Sequence, residues 1–189
     1  MMPSLPIARL AAVCKQYGPG RLPYADRREI GAGYAMATTA AVAAAVATVT
    51  FVLATVVPGL PEVMPVDLAV RFGVIAFPIV IPSAFVSGVV MWRLATPNLS
   101  RYGPVAGLAT TGLTYLVGTL VVSILALMLY VPIFLGGSLT VGEILGIAGL
   151  VGPVYGSFAF MFTFWLTLPL GALGGSIYER TRTASTPER

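Results

Sequence analysis

The sequence contains no histidine, a single cysteine and a single lysine. Without histidine, the chain has no ligands for bis-histidine haem or for a histidine-bound zinc ion, and no base for a Ser–His dyad. The lone Cys14 excludes an intrachain disulfide and a dithiol relay. The lone Lys15 precedes every long apolar run, so a Ser–Lys dyad within a membrane is not expected. These absences remove most of the chemistries that membrane enzymes use.

Acidic residues are also scarce, and none lies in the centre of an apolar run. The runs therefore contain no aspartate pair for intramembrane proteolysis, and none of the interior charges that proton-coupled transporters use. The glycines of "GALGGS", residues 171–176, end an apolar run with no strand before them, so they do not form a nucleotide-binding fingerprint. The sequence predicts no catalytic residue, no metal site and no cofactor, and we expect the chain not to be an enzyme.

Hydrophobic residues make up 57% of the 189-residue chain, charged residues only 10%, and the mean hydropathy is +0.91. A soluble domain usually has about 25% charged residues. The apolar residues cluster in runs longer than the roughly 18 residues that a helix needs to cross a bilayer. The composition therefore predicts an integral membrane protein surrounded by lipid.

Four apolar segments predict an all-α integral membrane protein with four transmembrane helices in a bundle. The first three spans cover about 33–57, 67–94 and 104–134, with Pro- and Gly-containing segments between them. The predicted parts are an N-terminal segment at 1–30, the membrane domain at 31–178 and a tail at 179–189.

The last span has two interpretations. Thr140 and Glu143 have the spacing of a capping box, which predicts a helix that begins directly after Thr140. A straight helix from there to residue 178 is about 57 Å long, whereas the hydrocarbon core is about 30 Å thick. Pro153 removes one amide and clashes with the preceding turn. We expect either a strong kink at Pro153, or a short interfacial or re-entrant helix at 141–151 followed by a main span at 154–178.

The N-terminal segment contains a shorter pattern in "SLPIARLAAVCKQYG", residues 4–18. Ile7, Leu10, Ala11 and Cys14 recur there at helical spacing, and Arg9 lies off that apolar face. This arrangement predicts a short amphipathic helix on the membrane surface. The alternative is a disordered tail in which the periodicity arises by chance.

Ten of the eleven basic residues fall on one side of a four-span arrangement. Loops with an excess of Lys and Arg remain in the cytoplasm, so we predict that both termini are cytoplasmic and that the protein lies in the plasma membrane. This asymmetry also explains the pI of about 9.5 without a nucleic-acid partner. The scarcity of lysine beside many Ala, Gly and Val residues favours a prokaryotic source.

The one basic residue on the opposite side is Arg71, which follows Asp67 by four residues. A carboxylate suits the first turn of a helix, and an acid four residues before a base is the favourable order. Side chains lean toward a helix's N-terminus, so Arg71 can reach the membrane surface. We interpret Asp67 and Arg71 as an interfacial pair, and the alternative is a gate or binding site.

The second span contains two prolines near its middle, Pro78 and Pro82. Each proline leaves a backbone carbonyl one turn earlier without its helical partner, and transporters use such carbonyls for solute sites and hinges. Ser83 and Ser87 follow closely, and Tyr115 of the third span adds a hydroxyl. These residues predict a polar cavity or hinge; the alternative is a static kink that improves packing.

Small residues recur at four-residue spacing, which allows helices in lipid to approach closely. The first interpretation is packing within one four-helix bundle, in which Thr110, Thr114 and Gly118 continue the face of the third span. The second is an interface with another copy or another membrane protein, most simply through Ala37 and Ala41 of the first span. The glycine pairs are Gly103 and Gly107, Gly142 and Gly146, Gly152 and Gly156, and Gly171 and Gly175.

Two functional hypotheses follow from these observations. The first is a small multi-pass membrane protein without catalytic machinery that serves as a structural, accessory or partner-binding subunit. The second is a transport or permeation component for a neutral or weakly polar solute, which uses the helix kinked at Pro78 and Pro82. A water-connected cavity lined by Ser83, Ser87 and Tyr115 separates the second hypothesis from the first.

Overall fold

The structure is a computed structural model that describes residues 22–57, 65–94, 102–137 and 140–183. These residues form four helices and no strand. The predicted amphipathic helix at 4–18 lies outside the described residues. The helices are α1 (Arg28–Val56), α2 (Val66–Leu94), α3 (Tyr102–Leu135) and α4 (Val141–Thr183).

All four helices are long and apolar enough to cross a membrane. They contain 29, 29, 34 and 43 residues, which correspond to lengths of about 43 to 64 Å at 1.5 Å per residue. The four predicted spans are therefore confirmed, with α1 beginning a few residues earlier and α4 ending a few residues later than expected.

The beginning of α4 is fixed by the predicted capping box. The backbone amide of Thr140 donates to the Glu143 carboxylate at 2.7 Å, and the Glu143 amide donates to the Thr140 hydroxyl at 3.3 Å. Two amides that the first helical turn leaves without partners are thus satisfied. From Val141 the helix continues through Pro153 and Pro169 without interruption. A separate interfacial helix at 141–151 is therefore not formed, and a kink at Pro153 stays a prediction.

The helices form a ring in which α1 packs against α2 and α3 against α4, and the contacts between α2 and α3 and between α1 and α4 close it. Glycine contacts show that α1 and α2 run in opposite directions. A Cβ on Gly33 would lie 2.7 Å from Val89, whereas a Cβ on Gly73 would lie 2.6 Å from Thr48. We call the end of the bundle that holds Arg28, near Gly33, the basic end, and the opposite end the acidic end.

A cluster of buried apolar side chains lies at the basic end. There the Trp92 ring meets the Tyr178 ring edge to face at a centroid distance of 5.7 Å, and the Tyr178 hydroxyl donates to the backbone carbonyl of Arg28 at 2.5 Å. This bond links the last helix to the first turn of α1, so it ties the two chain ends of the bundle together. The buried apolar side chains around it are Ala32, Met36, Trp92 and Ala106.

At the acidic end, α4 extends beyond α2. The two helices run in the same direction, because the two ring pairs between them follow the same order along both helices. The ring centroids are 6.5 Å apart for Phe72 and Tyr155 and 5.7 Å apart for Trp92 and Tyr178. These pairs are offset by 83 and 86 positions, so the first residue of α2, at 66, lies level with residues 149–152 of α4. Residues 141–149, which we call the α4 projection, therefore extend about 12–17 Å past the start of α2.

Candidate functional site

A line of small and polar side chains lies inside the bundle where α3 and α4 meet. On α3 the contacting residues recur every four positions, and on α4 they form a matching row in the opposite direction. We call this line the α3–α4 seam. It consists of Gly103, Gly107, Thr111, Tyr115, Thr119 and Ser123 of α3 and of Gly152, Gly156, Thr163, Thr167, Gly171 and Gly175 of α4.

Toward the basic end, the seam is a direct contact between two helix backbones. A Cβ on Gly107 would overlap the carbonyl oxygen of Gly171, and a Cβ on Gly103 would lie 2.8 Å from the carbonyl oxygen of Gly175. Only glycine permits this distance, because any side chain would push the helices apart. The predicted packing role of these four glycines therefore agrees with the place where the structure puts them.

Farther along the seam, hydroxyl side chains of α3 occupy the space above glycines of α4. Thr119 fills the space at Gly156, and a Cβ on Gly152 would lie 2.7 Å from the Thr119 carbonyl oxygen and 3.0 Å from the Ser123 Cβ. Thr111 fills the space at Gly171 in the same way, and its hydroxyl donates to the carbonyl of Gly107 at 2.9 Å. The hydroxyl is thus packed and hydrogen-bonded within its own helix.

Tyr115 occupies the middle of the seam and connects the two helices by hydrogen bonds. Its hydroxyl lies 2.6 Å from that of Thr163 and 2.8 Å from that of Thr167. Thr163 and Thr167 donate their own protons to the carbonyls of Ala159 and Thr163, at 2.6 and 3.0 Å, so the Tyr115 hydroxyl is the donor between the helices and its proton goes to one of the two threonine oxygens. One consistent set of protons therefore satisfies all three hydroxyls without water, as a dry membrane interior requires.

The residues predicted to line a polar cavity do not come together around Tyr115. Ser83 and Ser87 are buried on α2, and Ser83 donates to the Ile79 carbonyl at 2.6 Å. Ser87 is fully buried, and its hydroxyl has no hydrogen-bond partner among the described residues. The described contacts of the Tyr115 hydroxyl are both on α4. The predicted set is thus divided between two parts of the bundle.

Pro78 and Pro82 lie within α2, which continues through both of them. Both are exposed on the outer surface of the bundle. Pro82 lines a shallow apolar groove of about 390 Å³ between α1 and α2, together with Tyr34, Ala37, Ile81 and Phe85. The prolines therefore border an open groove rather than an enclosed polar cavity.

Asp67 and Arg71 occupy the first two turns of α2 at the acidic end, and both side chains are exposed. Among the described contacts they form no direct ion pair. Their position at the end of an apolar helix fits an interfacial role, which stays a prediction. Within the described ranges no three Cys, Asp or Glu side chains come close enough together to hold a metal ion.

The seam was only partly visible in the sequence. The sequence identified the glycines as packing residues, but it did not assign Thr111, Thr119 and Ser123 to the seam. The signal that identifies them is the four-residue step itself, because Gly103 and Gly107 continue in phase to Thr111, Tyr115, Thr119 and Ser123.

The chain matches no protein-family profile, no curated protein and no solved structure. Its class is therefore defined by the fold: an all-α bundle of four helices, each long and apolar enough to cross a membrane. Within that class, the arguments about function come from the seam, the groove and the α4 projection.

Proposed function

We propose that the protein is a small multi-pass membrane subunit that acts by binding another integral membrane protein and catalyses no reaction. The observation that supports this proposal is the α4 projection. It is an apolar helical segment beyond the start of α2. One face of it is packed within the chain, where Ile144 and Ala148 are buried, and the opposite face is open. Val141 and Leu145 are 58% exposed on it.

The length of α4 makes it difficult for lipid alone to cover this surface. A helix tilted by 40°, the upper end of the usual range, crosses a 30 Å hydrocarbon core with about 26 residues. Since α4 has 43 residues, about 17 of them extend past that layer. Residues 179–183 at the basic end account for five, which leaves about twelve at the acidic end. An apolar partner helix in this region would cover the face that the chain itself leaves open, which includes Val141 and Leu145.

Glycines on the projection support the same proposal. A Cβ on Gly142, Gly146 or Gly149 would meet nothing within 4 Å, and the three share one face at steps of four and three residues. Two other open glycines, Gly112 and Gly118 of α3, are six residues apart and lie on different faces. The projection therefore offers a continuous small-residue surface for close approach of another helix.

The experiment compares Gly146→Leu with Gly112→Leu. Both glycines are helical and open, so neither leucine should disturb the chain itself, but only Gly146 lies on the proposed interface. A photo-crosslinking residue at Leu145 should form one adduct of defined mass in native membranes, and one at the exposed Val46 of α1 should not. Gly146→Leu should abolish the adduct and Gly112→Leu should retain it. An adduct that survives both substitutions would contradict the proposal.

We also infer that the protein lies in a prokaryotic plasma membrane with both termini in the cytoplasm. Four spans put the two ends on the same side, and ten of the eleven basic residues belong to that side. A cysteine introduced at the tail should resist a membrane-impermeant maleimide in intact cells and react after lysis. Labelling in intact cells would show that the tail lies outside the cell and would contradict the proposed orientation.

The alternative function is transport or permeation of a neutral or weakly polar solute. The buried hydroxyl of Ser87, which lacks a partner in the described part of the chain, favours it, because a polar group in that position is costly unless something binds it. Replacing Pro78 and Pro82 with alanine should then abolish solute flux in proteoliposomes. Unchanged flux, or no flux by the native protein, argues for the partner-binding subunit.

A further inference from the structure

The groove between α1 and α2 is apolar, shallow and open on the outer surface of the bundle. Tyr34 and Ala37 of α1 form one side of it, and Ile81, Pro82 and Phe85 of α2 form the other. The Tyr34 and Phe85 rings contact each other at a centroid distance of 5.0 Å. Its volume of about 390 Å³ is within the range of small-molecule sites. Its position on a membrane-spanning bundle makes a lipid chain the natural occupant.

The depth of the groove corresponds to one lipid leaflet. Tyr34 lies seven residues from Arg27 at the beginning of α1, about 10 Å along the helix, and Pro82 lies eleven residues from Arg93 in the last turn of α2, about 16 Å. Half of the hydrocarbon core is about 15 Å. A lipid whose phosphate lies level with the two arginines therefore extends its acyl chain to the groove.

On α1, contacts connect the groove to the membrane surface. The Tyr34 hydroxyl reaches the carbonyl of Pro23 at 3.5 Å, a long hydrogen bond. The next residue, Tyr24, holds the Arg27 guanidinium 5.2 Å from its ring centroid. An exposed aromatic ring with an arginine above it is typical of the interface between hydrocarbon and headgroups. The groove thus continues from an apolar wall to a cationic mouth on the same side of α1.

The charges at this mouth are mixed. Arg93 is eight residues from Phe85 on α2, near the same helical face, and is exposed. Asp26 and Glu29 flank Arg27, but among the described contacts the Arg27 guanidinium meets the Tyr24 ring and neither carboxylate. Arg27 and Arg93 are therefore both available to a phosphate oxygen.

We propose that this groove binds an anionic phospholipid, with an acyl chain along Tyr34, Ala37 and Pro82 and the phosphate between Arg27 and Arg93. The apolar wall supplies affinity for the chain. The two guanidiniums supply preference for an anionic headgroup, because arginine binds phosphate by charge-assisted hydrogen bonds. The lipid belongs to the leaflet at the basic end of the bundle.

The test is native mass spectrometry of the full chain, purified in mild detergent and mixed with equal amounts of phosphatidylglycerol and phosphatidylethanolamine. One phosphatidylglycerol per chain should remain bound. Arg27→Gln and Arg93→Gln should each lower the preference for phosphatidylglycerol by about fivefold. Arg71→Gln, at the acidic end, removes the same charge at a distance from the groove and should leave the preference unchanged.

A second pair of variants tests the acyl chain. Ala37→Phe fills the groove and should lower retention of both lipids, whereas Ala45→Phe, exposed on α1 two turns away, should not. If Ala37→Phe does not elute as a single species, Ile81→Trp fills the groove from α2 instead. Three results would overturn the proposal. The first is equal lipid retention by the groove variant and Ala45→Phe, and the second is an Arg71→Gln effect as large as that of Arg27→Gln. The third is retention of a helical peptide in place of lipid.

Discussion

A single methyl group at Gly107 tests whether the α3–α4 seam holds the bundle together. In Gly107→Ala, the new Cβ would overlap the carbonyl oxygen of Gly171 and lie 2.9 Å from its carbonyl carbon. Ordinary non-bonded contacts are about 3.5–4.0 Å, so the two backbones would have to separate by about 1 Å. Neither atom belongs to a flexible side chain, so no rotamer change can relieve the overlap.

The expected magnitude is a difference between two opposing terms. Overpacking of a tight interface costs about 1–3 kcal/mol, and alanine is better than glycine in a helix by about 1 kcal/mol. Gly112→Ala on the same helix has only the second term, since a Cβ there meets nothing within 4 Å. Both variants gain the same helix propensity, so the difference between them is the overpacking cost alone. Gly107→Ala should therefore be less stable than Gly112→Ala by about 1–3 kcal/mol.

The assay is reversible unfolding in mixed micelles, followed by tryptophan fluorescence with Trp165 replaced by Phe, so that the signal comes from the buried Trp92. For a chain of this size, about 1 kcal/mol changes the melting temperature by about 2–4 °C. Gly107→Ala should melt below Gly112→Ala by about that amount or more. If Gly107→Ala is as stable as Gly112→Ala, the direct backbone contact in the seam is wrong.

Two further predictions concern hydrogen bonds. Tyr115→Phe should lower stability by about 0.6–1.7 kcal/mol, the range for a hydroxyl between membrane helices. Tyr155→Phe should change it less, because Tyr155 is exposed; equal effects in micelle unfolding would refute the assigned network. Thr140→Ala should cost about 1 kcal/mol through loss of the cap and should speed hydrogen exchange of the Glu143 amide, whereas unchanged exchange would contradict the capping box.

The spans and the beginning of α4 were predictable because their causes are local. Hydropathy over about 20 residues decides whether a segment is stable in lipid, and this identified all four helices. The capping box depends on two side chains three positions apart, Thr140 and Glu143, so it too is contained in a short stretch. No knowledge of the neighbouring helices is needed for either prediction.

The phase of the helix contacts was less predictable. Small residues favour Thr110, Thr114 and Gly118 as the continuation of the third span's packing face. Thr110 is fully buried, but the contacts of the seam with α4 are made by Thr111 and Tyr115. The two rows have the same four-residue spacing and differ by one position, which is a rotation of about 100° around the helix. Spacing is a property of one helix, whereas the choice between rows depends on which face the neighbouring helix presents.

Pro153 shows a second limit of reasoning from the sequence. One of the two expectations, a separate short helix at 141–151, assumed that the last helix must fit the bilayer, and the structure instead continues α4 as one helix of 43 residues. A proline within a long helix removes one hydrogen bond and need not end the helix when neighbouring helices support it. The acidic end of α4 therefore extends past α2 instead of turning back along the membrane surface.

The glycines of α4 fall into two groups, those that pack against α3 and those that are open. At Gly152, Gly156, Gly171 and Gly175 the space next to the backbone is filled by α3. Near the beginning of α4, three glycines on one face have no neighbour, although each costs a helix about 1 kcal/mol relative to alanine. Ile144 and Ala148, on the opposite face, are buried and hold this end of α4 to the bundle, whereas the glycine face contributes no contact of its own among the described residues. A helix of another membrane protein against that face would supply one, and this is why Gly146→Leu should affect the complex and not the fold.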